Sequence, residues 1–316
     1  MLALASQLAQ AAGLARSGRR PRPTPLQVVL SFDLEEHHRI ESAAALLCHP
    51  TWSARYGQRM EDATRWLMDQ LAEHRVRATF FILGELGRDH SGLMRDLAGA
   101  GHEVASHGWD HRRLQHLTPV AFREDLRRSR DVLEQSTGRA VVGYRAPTFS
   151  VVRETSWAID ILAEEGMKYD SSIYPVRHDR YGVPDAPRGP FVVHGSRGQM
   201  LELPPATLGL GSLRVPTGGG GYFRLLPTWL LERSLTQAAH DDPPVAMLYF
   251  HPWEFDPDQP RLPLGSMSRW RTYAGIFRTR PRLSRLLASR PFVRAIDVAQ
   301  SLQDDLDRLP NFNLAG

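Results

Sequence analysis

The amino-acid sequence predicts an α/β fold made of parallel strand–helix units that curl into a barrel. Its first two thirds alternate short β-branched or apolar runs with longer segments whose apolar residues recur at helical spacing. Short connections between these segments are typical of parallel βα units, and the number of repeats favours barrel-like closure over a small open sheet. Unusual polar residues also follow the predicted strands, which is the edge where such barrels carry their chemistry.

Five strands and four helices are predicted in alternation up to residue 173. The strands are QVVLSFDL (27–34), VRATFFILG (76–84), HEVASHG (102–108), AVVGYRAP (140–147) and MKYDSSI (167–173). The helices between them cover 61–75, 91–101, 117–138 and 153–166. The third helix carries signals at both ends, because Thr118 can cap its N-terminus, Pro119 suits its first turn and Gly138 suits its C-cap.

Two regions interrupt the alternation and are predicted to be functional loops. Residues 36–60 form a long connection after the first strand, and residues 175–222 are rich in proline and glycine. Beyond them, VAMLYF (245–250) predicts a late strand. The stretch 280–306 predicts a helix, a short strand and a terminal helix.

The composition is that of a soluble globular protein, with 42% hydrophobic and 23% charged residues. A formal net charge of +4 and a pI of about 9.5 would suit a nucleic-acid partner. However, Lys168 is the only lysine, and so strong a bias towards arginine is better explained by genomic base composition than by a binding surface. We therefore predict no nucleic-acid partner, and the composition leaves the oligomeric state open.

The chain is predicted to form a single domain at 26–316, with a flexible tail at 1–25 and a C-terminal extension at about 205–316. No apolar stretch reaches the roughly 18 residues of a transmembrane helix. The apolar start of the tail precedes its basic residues, which is the reverse of a secretory signal. Cys48 is the only cysteine, which excludes an internal disulfide and a cysteine-based zinc site. These features predict a cytoplasmic protein, with a membrane-touching tail as the alternative.

The stretch SHGWDH (106–111) places His107 and His111 four residues apart at the end of the third strand. Zinc sites often combine two such histidines with one carboxylate from elsewhere and leave a position open for water. Taken alone, the spacing fits two surface histidines at least as well. The pair therefore indicates a metal site only if a carboxylate lies at the same edge of the sheet.

The first strand supplies candidate carboxylates in SFDLEEHH (31–38). Alternation along a strand places Asp33 and Glu35 on one face. One of them could bind a metal ion while the other accepts a proton from the activated water. Glu36 and His37 follow directly and could also reach the site. Solvated acids at a strand end are the alternative interpretation.

Two further strand ends carry residues that suit the same chemistry. Arg145, in GYRAP, could hold a carboxylate bidentately, or it could form an ordinary surface ion pair. His251 follows the late strand and could protonate a leaving amine, since histidine ordinarily titrates near neutrality. A structural histidine beneath a Pro–Trp turn is the alternative. Together with the first-strand acids and the histidine pair, these residues would supply metal ligands, a base, its orienting group and an acid.

Six motifs follow one another along the chain: SFDLEE, ATFFILG, GHEVASHGWDH, GYRAPTFS, YDSSIYP and YFHPWEFDPDQPR. In this order they resemble the motifs of the NodB-homology polysaccharide deacetylases, carbohydrate esterase family 4. They span roughly residues 27 to 300, and GGGGYFRLLP resembles the branch associated with exosortase and exopolysaccharide gene clusters. The resemblance implies a distorted (β/α) barrel with about seven parallel strands. It also implies a metal-dependent hydrolase that removes N-acetyl groups from an amino-sugar polysaccharide or its precursor.

The resemblance also implies roles for individual residues. Asp33 is similar to the catalytic base, Arg145 to the residue that orients it, and His251 to the general acid. The implied metal ligands are His107, His111 and an acid of the first motif. The implied ion is divalent, with Zn²⁺ expected and Co²⁺ or Ni²⁺ as alternatives.

The first motif departs from the commonest family form, in which two aspartates are adjacent. Leu34 follows Asp33 here, so the carboxylate ligand is expected to be Glu35, with Glu36 as the second choice. Asp170 is a weaker candidate for orienting a catalytic group. Three aromatic residues could stack on sugar rings, although burial is the commoner role for each: Trp109, Tyr222 and Trp253.

Two other functions fit parts of the pattern. One is a metal-dependent amidase that acts on a small cyclic or ureido substrate. The other is a non-catalytic glycan-binding module that has lost its metal ion, an interpretation whose only support is the glutamates of the first motif.

Overall fold

The computed structural model describes residues 25–44, 46, 49–211 and 213–316. The predicted flexible tail at 1–25 therefore lies almost entirely outside the described residues, as does Cys48.

The strands of the described residues are numbered in chain order. They are β1 Gln27–Leu34, β2 Thr79–Ile82, β3 Glu103–Ser106, β4 Gly143–Tyr144, β5 Tyr169–Asp170, β6 Phe191–His194, β7 Gln199–Glu202, β8 Thr207–Leu210, β9 Leu213–Pro216, β10 Val245–Phe250 and β11 Asn311–Asn313.

The α-helices of the same residues are numbered likewise. They are α1 Pro50–Glu73, α2 Gly84–Asp89, α3 Ser91–Gly99, α4 Pro119–Thr137, α5 Trp157–Glu164, α6 Gly220–Leu225, α7 Thr228–Ala238, α8 Ser266–Tyr273, α9 Thr279–Ser289 and α10 Ala295–Leu302. Short 3₁₀ turns connect several of these elements.

Nine strands form one curled sheet in the order β10–β1–β2–β3–β4–β5–β7–β6–β11. The first seven of these strands run parallel, which confirms the predicted barrel-like α/β fold. β6 pairs antiparallel with β7, and β11 pairs parallel with β6. Single bridges then pair Pro205 with Met247 and Gly219 with Tyr249, so the chain beyond β7 reaches the free edge of β10. The sheet therefore curls until the chain beyond β7 meets β10, which gives a distorted barrel.

Alternation along β1 separates the helix-packed side of the sheet from the interior. Phe32 and Leu34 join the apolar cluster that contains Leu67 of α1. Ser31 and Asp33 point to the other side, where the guanidinium of a single arginine reaches both. The period of two along an extended strand thus puts polar residues inside the barrel without exposing the apolar face.

The predicted ends of α4 are confirmed. The hydroxyl of Thr118 accepts a hydrogen bond from the N–H of Ala121 at 3.2 Å, and Pro119 occupies the first helical position. Gly138 ends the helix with φ of 66°, a left-handed conformation that glycine adopts without steric cost.

The structure corrects the prediction of a long loop at 36–60. Helix α1 begins at Pro50, with His49 accepting a hydrogen bond from the N–H of Thr51. Proline at the first helical position costs no hydrogen bond, because that N–H has no partner within the helix. The connection after β1 is therefore shorter than predicted.

The prediction of a loop at 175–222 is also wrong, because β6 to β9 form two antiparallel pairs there. Prolines flank the first of these pairs: Pro190 precedes β6, and Pro204 and Pro205 follow β7. The intervening FVVH and QMLE runs therefore keep their N–H groups for pairing. Near the C-terminus, the predicted short strand is reduced to one bridge between Val293 and Val29.

None of the helices in the described part of the chain combines the length and the apolar character needed to span a lipid bilayer.

The buried ring of His102 is expected to make the free energy of unfolding depend on pH. The ring is buried, and its Nδ1 accepts a hydrogen bond from the N–H of Ala78 at 3.1 Å. Burial, with help from Arg294 and Arg77, lowers the pKa of His102 to about 4. The unfolded chain therefore binds a proton that the folded chain excludes as the pH falls from about 6.5 to 4. This difference should lower the free energy of unfolding by up to about 3 kcal/mol over that range.

We expect His102→Gln to remove this part of the pH dependence while the amide oxygen still accepts from Ala78. Urea unfolding between pH 4 and 7 measures it, with the exposed His240→Gln as the control. If the two variants show the same slope of stability against pH, the proposed origin of the effect is wrong.

Candidate metal centre

The predicted site residues lie at one end of the barrel. Asp33 is on β1 and Glu35 follows it; His107 follows β3, and Arg145 and His251 follow β4 and β10. These strands are parallel, so their carboxyl ends meet at the same edge. The structure therefore brings together residues that are more than 200 positions apart in the chain.

Glu35, His107 and His111 form a cluster with metal-ligand chemistry. One ligand atom of each lies within 4.8 Å of the others, and the cluster is almost entirely shielded from solvent. Oε2 of Glu35 is 2.6 Å from Nε2 of His111, a distance at which a proton on that nitrogen would be shared between them. A buried carboxylate that faces two imidazole rings fits a divalent cation such as Zn²⁺, which would replace that proton.

Electrostatics support an ionised carboxylate in this cluster. Burial alone would raise the pKa of Glu35, but His111, His251 and His107 together lower it well below its usual range. The carboxylate is therefore in the form that binds a cation.

The ring of His107 is oriented by the backbone. Its Nδ1 lies 2.8 Å from the carbonyl oxygen of Arg145. A carbonyl can only accept, so Nδ1 carries the proton and Nε2 keeps its lone pair for a ligand. Burial lowers the pKa of His107 to about 4, which keeps the ring neutral at physiological pH.

The turn that carries His111 is held in an uncommon conformation. Gly108 has φ of 79° and His111 has φ of 68°, both in the left-handed region. The carboxylate of Asp125 on α4 accepts the N–H of Trp109 at 2.9 Å, and Ser129 donates to the carbonyl of Gly108 at 3.0 Å. Helix α4 thus supports the backbone that returns His111 to the cluster, at a cost of order 1–3 kcal/mol for the non-glycine φ.

Asp33 is bound by Arg145 in the barrel interior. Nη1 of Arg145 donates to Oδ1 of Asp33 at 2.6 Å and to the hydroxyl of Ser31 at 3.0 Å. The remaining donors of the guanidinium reach the carbonyl and the hydroxyl of Ser171. Arg145 is fully buried, so it is not the surface ion pair of the alternative interpretation. Oδ2 of Asp33 stays available, 3.9 Å from Nε2 of His251.

Glu36 points away from the cluster. Its carboxylate pairs with Nε of Arg39 at 2.5 Å, and Arg39 also binds Glu85 at 2.7 Å. Between the two candidate glutamates, the geometry favours Glu35 as the carboxylate ligand.

His251 is held by an acid that the sequence analysis did not identify. Oε1 of Glu254 lies 2.7 Å from Nδ1 of His251 and accepts the backbone N–H of the same residue at 3.2 Å. Its other oxygen pairs with Arg224 of α6, and both side chains are buried. Burial lowers the pKa of His251, but Glu254, Glu35 and Asp33 outweigh it and raise the pKa to about 9.

The local signal for Glu254 was its place three residues after His251 in HPWE, where a carboxylate can return to the backbone N–H. With Nδ1 engaged, Nε2 of His251 faces the cluster, 3.7 Å from Oε1 of Glu35.

Aromatic rings line the approach between β1 and β10. Trp253 stacks between His37 and His251, with centroid distances of 5.0 and 5.5 Å, and its Nε1 lies 3.4 Å from Oε1 of Glu35. His37 is buried and its ring nitrogens make no hydrogen bond to the described residues. The three groups whose ligand atoms converge do not include His37, and its ring packs on Trp253 beside them.

The other aromatic candidates lie in different surroundings. Trp109 is buried, with the guanidinium of Arg128 3.5 Å from its ring centroid. Tyr222 is half-buried, and its hydroxyl interacts with that of Tyr181.

Asp170 does not contact the cluster and is linked to the backbone beside Arg145 through Ser172. Ser172 donates to its carboxylate, and the same hydroxyl accepts the N–H of Ala146 at 2.7 Å, next to Arg145. Asp170 also faces the buried Glu202; burial raises the pKa of Asp170 to about 6 and that of Glu202 well above its usual range. Burial and the neighbouring Asp170 therefore favour the protonated form of Glu202, while Ser172 links Asp170 to the backbone next to Arg145.

Two family models match adjacent parts of the chain. A model described as polysaccharide deacetylase matches residues 50–169, and a domain of unknown function, DUF3473, matches residues 171–300. The first match contains both clustered histidines and Arg145, and the second contains His251 and Glu254.

Curated relatives include several deacetylases. A chitooligosaccharide deacetylase of Rhizobium leguminosarum bv. trifolii is 32% identical over 32% of this chain and 44% of its own length. A peptidoglycan deacetylase of Helicobacter pylori is 30% identical over 34% of this chain and 36% of its own length. The chain thus spans less than half the length of these relatives.

Solved structures share the fold over almost the whole chain. A structure assigned as a polysaccharide deacetylase, from Mycobacterium smegmatis, has a TM-score of 0.61 and 22% identity, covering 92% of this chain and 94% of the other. An allantoinase has a TM-score of 0.60 and 15% identity, covering 90% and 92%. At these identities the likeness concerns the fold alone.

Substitution of Asp125 tests whether its carboxylate stabilises the turn that carries His111. Asp125→Ala leaves the buried N–H of Trp109 without an acceptor and should lower the free energy of unfolding by about 1–3 kcal/mol. Asp125→Asn keeps an acceptor at that position and removes a buried charge, so we expect a smaller loss. Chemical denaturation at neutral pH measures both, with Asp131→Ala on the exposed face of α4 as the control. Equal losses for the alanine and asparagine variants would contradict this role.

Proposed function

We propose that this chain, whose residues 50–169 match the polysaccharide deacetylase family, is a metal-dependent hydrolase that removes N-acetyl groups from an amino-sugar-containing polysaccharide or its precursor. The observation that carries the proposal is the Glu35–His107–His111 cluster with Asp33 and His251 directly beside it. Relatives named for chitooligosaccharide and peptidoglycan deacetylation support an N-acetylated glycan as the substrate class. Membership of the exopolysaccharide-associated branch stays a prediction.

The metal ligands in this proposal are Glu35, His107 and His111, and Zn²⁺ is the expected ion because nitrogen and carboxylate ligands suit it. A divalent cation held there supplies Lewis acidity, which acidifies water and polarises a carbonyl oxygen. The protein's own contribution is to present all three ligands in a buried pocket, with His107 fixed in the required tautomer.

Asp33 is the proposed general base. Arg145 occupies Oδ1, so Oδ2 is the oxygen that accepts the proton of the attacking water. Because Arg145 is itself held by residues of β1 and of the segment after β5, the carboxylate cannot rotate freely. Orientation of this kind places the base before the substrate arrives.

His251 is the proposed general acid. Glu254 accepts a hydrogen bond from Nδ1–H of His251, which leaves the N–H of Nε2 directed at the cluster. A raised pKa keeps the ring protonated at neutral pH, and the departing amine takes its proton from Nε2.

The metal assignment is tested with single substitutions. His107→Ala should abolish bound Zn²⁺ and acetate release from a chitooligosaccharide, while the far-ultraviolet circular dichroism stays native. Glu35→Gln should weaken Zn²⁺ binding by more than roughly 100-fold, which exceeds the usual effect of residues that only support a ligand. Glu36→Gln is the matched control and should retain the ion. Metal analysis after dialysis, with an acetate assay, measures both properties, and an active, metal-free His107→Ala protein would refute the assignment.

The base assignment is tested separately. Asp33→Asn preserves the shape of the side chain and should retain Zn²⁺, yet we expect the rate to fall by roughly 10²- to 10⁴-fold. Steady-state assays of acetate release, with metal content measured on the same samples, distinguish loss of the base from loss of the ion. Full activity in this variant would assign the base to another residue.

A further inference from the structure

One surface of the molecule combines exposed apolar side chains with a concentration of positive charge. Nine large apolar side chains are exposed in the described part of the chain, and five of them lie between residues 225 and 277. These five are Leu225, Trp229, Met267, Trp270 and Phe277, with exposed fractions of 39, 59, 64, 58 and 67%. An exposed apolar group of this kind usually marks an interaction site.

The segments that carry these side chains pack against one another. Nη2 of Arg224, next to Leu225, donates to the carbonyl oxygens of Arg271 and Thr272 at the end of α8. Nη1 of Arg282 donates to the carbonyl of Leu226 at 3.0 Å. Helix α8 and the turn after it therefore lie beside the α6–α7 junction, so the segments that carry the five apolar side chains are neighbours.

The segment that carries Met267, Trp270 and Phe277 is strongly basic. Between Asp258 and Asp297 the sequence has nine arginines and no aspartate or glutamate. Since the whole chain has a net charge of only +4, its remaining residues are together net acidic. The positive charge is therefore concentrated between Asp258 and Asp297, although arginine replaces lysine almost throughout the chain.

Five arginines of this segment are exposed, namely Arg261, Arg269, Arg271, Arg278 and Arg285. Arg290 pairs with Glu232, whereas these five have no ion-pair partner among the residues that the structure describes. We call the five arginines and the five apolar residues together the arginine–apolar surface.

We propose that the arginine–apolar surface docks the protein onto an anionic phospholipid membrane. Tryptophan and phenylalanine favour the boundary between headgroups and acyl chains, and arginine binds lipid phosphates. Helix α8 offers both kinds of group on its exposed residues, as expected for a helix that lies in the membrane surface. Basic groups near an anionic leaflet gain attraction that decays within a Debye length.

Two other partners fit the surface less well. A second copy of the chain in a two-fold contact would place the same unpaired arginines against each other, and like charges repel. Nucleic acid would match the arginines, but its phosphate backbone would leave Leu225 and Met267 without an apolar environment. Both partners are outcomes of the test below.

The location of the surface relates it to the candidate metal centre. Tyr273, the last residue of α8, packs edge-on against His37 with a centroid distance of 5.5 Å. His37 in turn stacks on Trp253, which neighbours Glu35. A docked molecule would therefore hold the cluster close to the lipid surface. The docking proposal does not depend on the proposed activity.

The test is sedimentation of the full chain with vesicles of phosphatidylcholine alone or of phosphatidylcholine with phosphatidylglycerol. We expect binding to the anionic vesicles only, with a strong decrease at high salt. The double variants Trp270→Ala/Phe277→Ala and Arg269→Glu/Arg278→Glu should each lower the partition coefficient at least roughly tenfold. Val120→Ala/Leu213→Ala and Arg55→Glu/Arg95→Glu are matched controls at exposed positions outside the surface and should bind as the wild type does.

Three results would overturn the proposal. The first is equal binding to both kinds of vesicle, or no binding to either. The second is anionic-vesicle binding that the surface variants do not reduce more than the controls do. The third is a salt-sensitive complex with duplex DNA, or a concentration-dependent dimer by light scattering, that the surface variants abolish while vesicle binding is absent. Acetate release from a soluble chitooligosaccharide should be unchanged in the surface variants, so a failure of docking is distinguishable from a failure of the proposed activity.

Discussion

The buried ion pair between Arg145 and Asp33 is the interaction on which the rest of the site depends. A guanidinium with no solvent exposure is tolerated only if its charge and its donors are matched. Here the matching groups come from two places in the barrel, Ser31 and Asp33 on β1 and Ser171 after β5. The pair therefore links the strands and at the same time fixes which oxygen of Asp33 faces the cluster. Loss of either partner would leave a charge inside the barrel, typically at a cost of about 3–5 kcal/mol.

A second buried pair repeats this arrangement at His251. Arg224 pairs with Glu254, and Glu254 lies 2.7 Å from Nδ1 of His251. The proposed base and the proposed acid thus each depend on a buried arginine, one from each of the two matched segments of the chain. The cluster between them takes ligands from β1 and from the turn after β3. Neither matched segment contains all of these residues, since Asp33 and Glu35 precede both.

The exposed arginines are arranged differently from the buried ones. Arg145 and Arg224 are buried and each pairs with an acid, whereas Arg269 and Arg271 of α8 lie at the surface. Arginine suits both settings, because its planar fork binds a carboxylate in the interior and a phosphate at the surface. One residue type therefore serves the internal organisation of the site and, in our proposal, its placement on a membrane.

The residues at the strand ends were predictable from the sequence, because alternation and strand–helix order are local properties. The six parallel strands β10 and β1 to β5, the caps of α4 and the candidates Asp33, Glu35, His107, His111, Arg145 and His251 follow from such patterns, whereas the expectation of about seven strands came from the family resemblance. The strands in 175–222 were not predicted, because each has only four residues, too few for a clear alternation, and prolines and glycines surround them. The start of α1 was missed because the proline that begins it also resembles a loop residue.

The tertiary structure alone decided how these candidates are used. The sequence favoured Glu35 over Glu36 as the ligand, and the folded chain shows why Glu36 stays outside the cluster, since its carboxylate pairs with Arg39. Glu254 has a local signal three residues after His251, but its partner Arg224, 30 residues earlier, is brought against it only by the fold. The sequence by itself determined which chemical groups stand at the carboxyl edge of the sheet. Their partners, ionisation and orientation depend on distances across the barrel, and only the folded chain defines those distances.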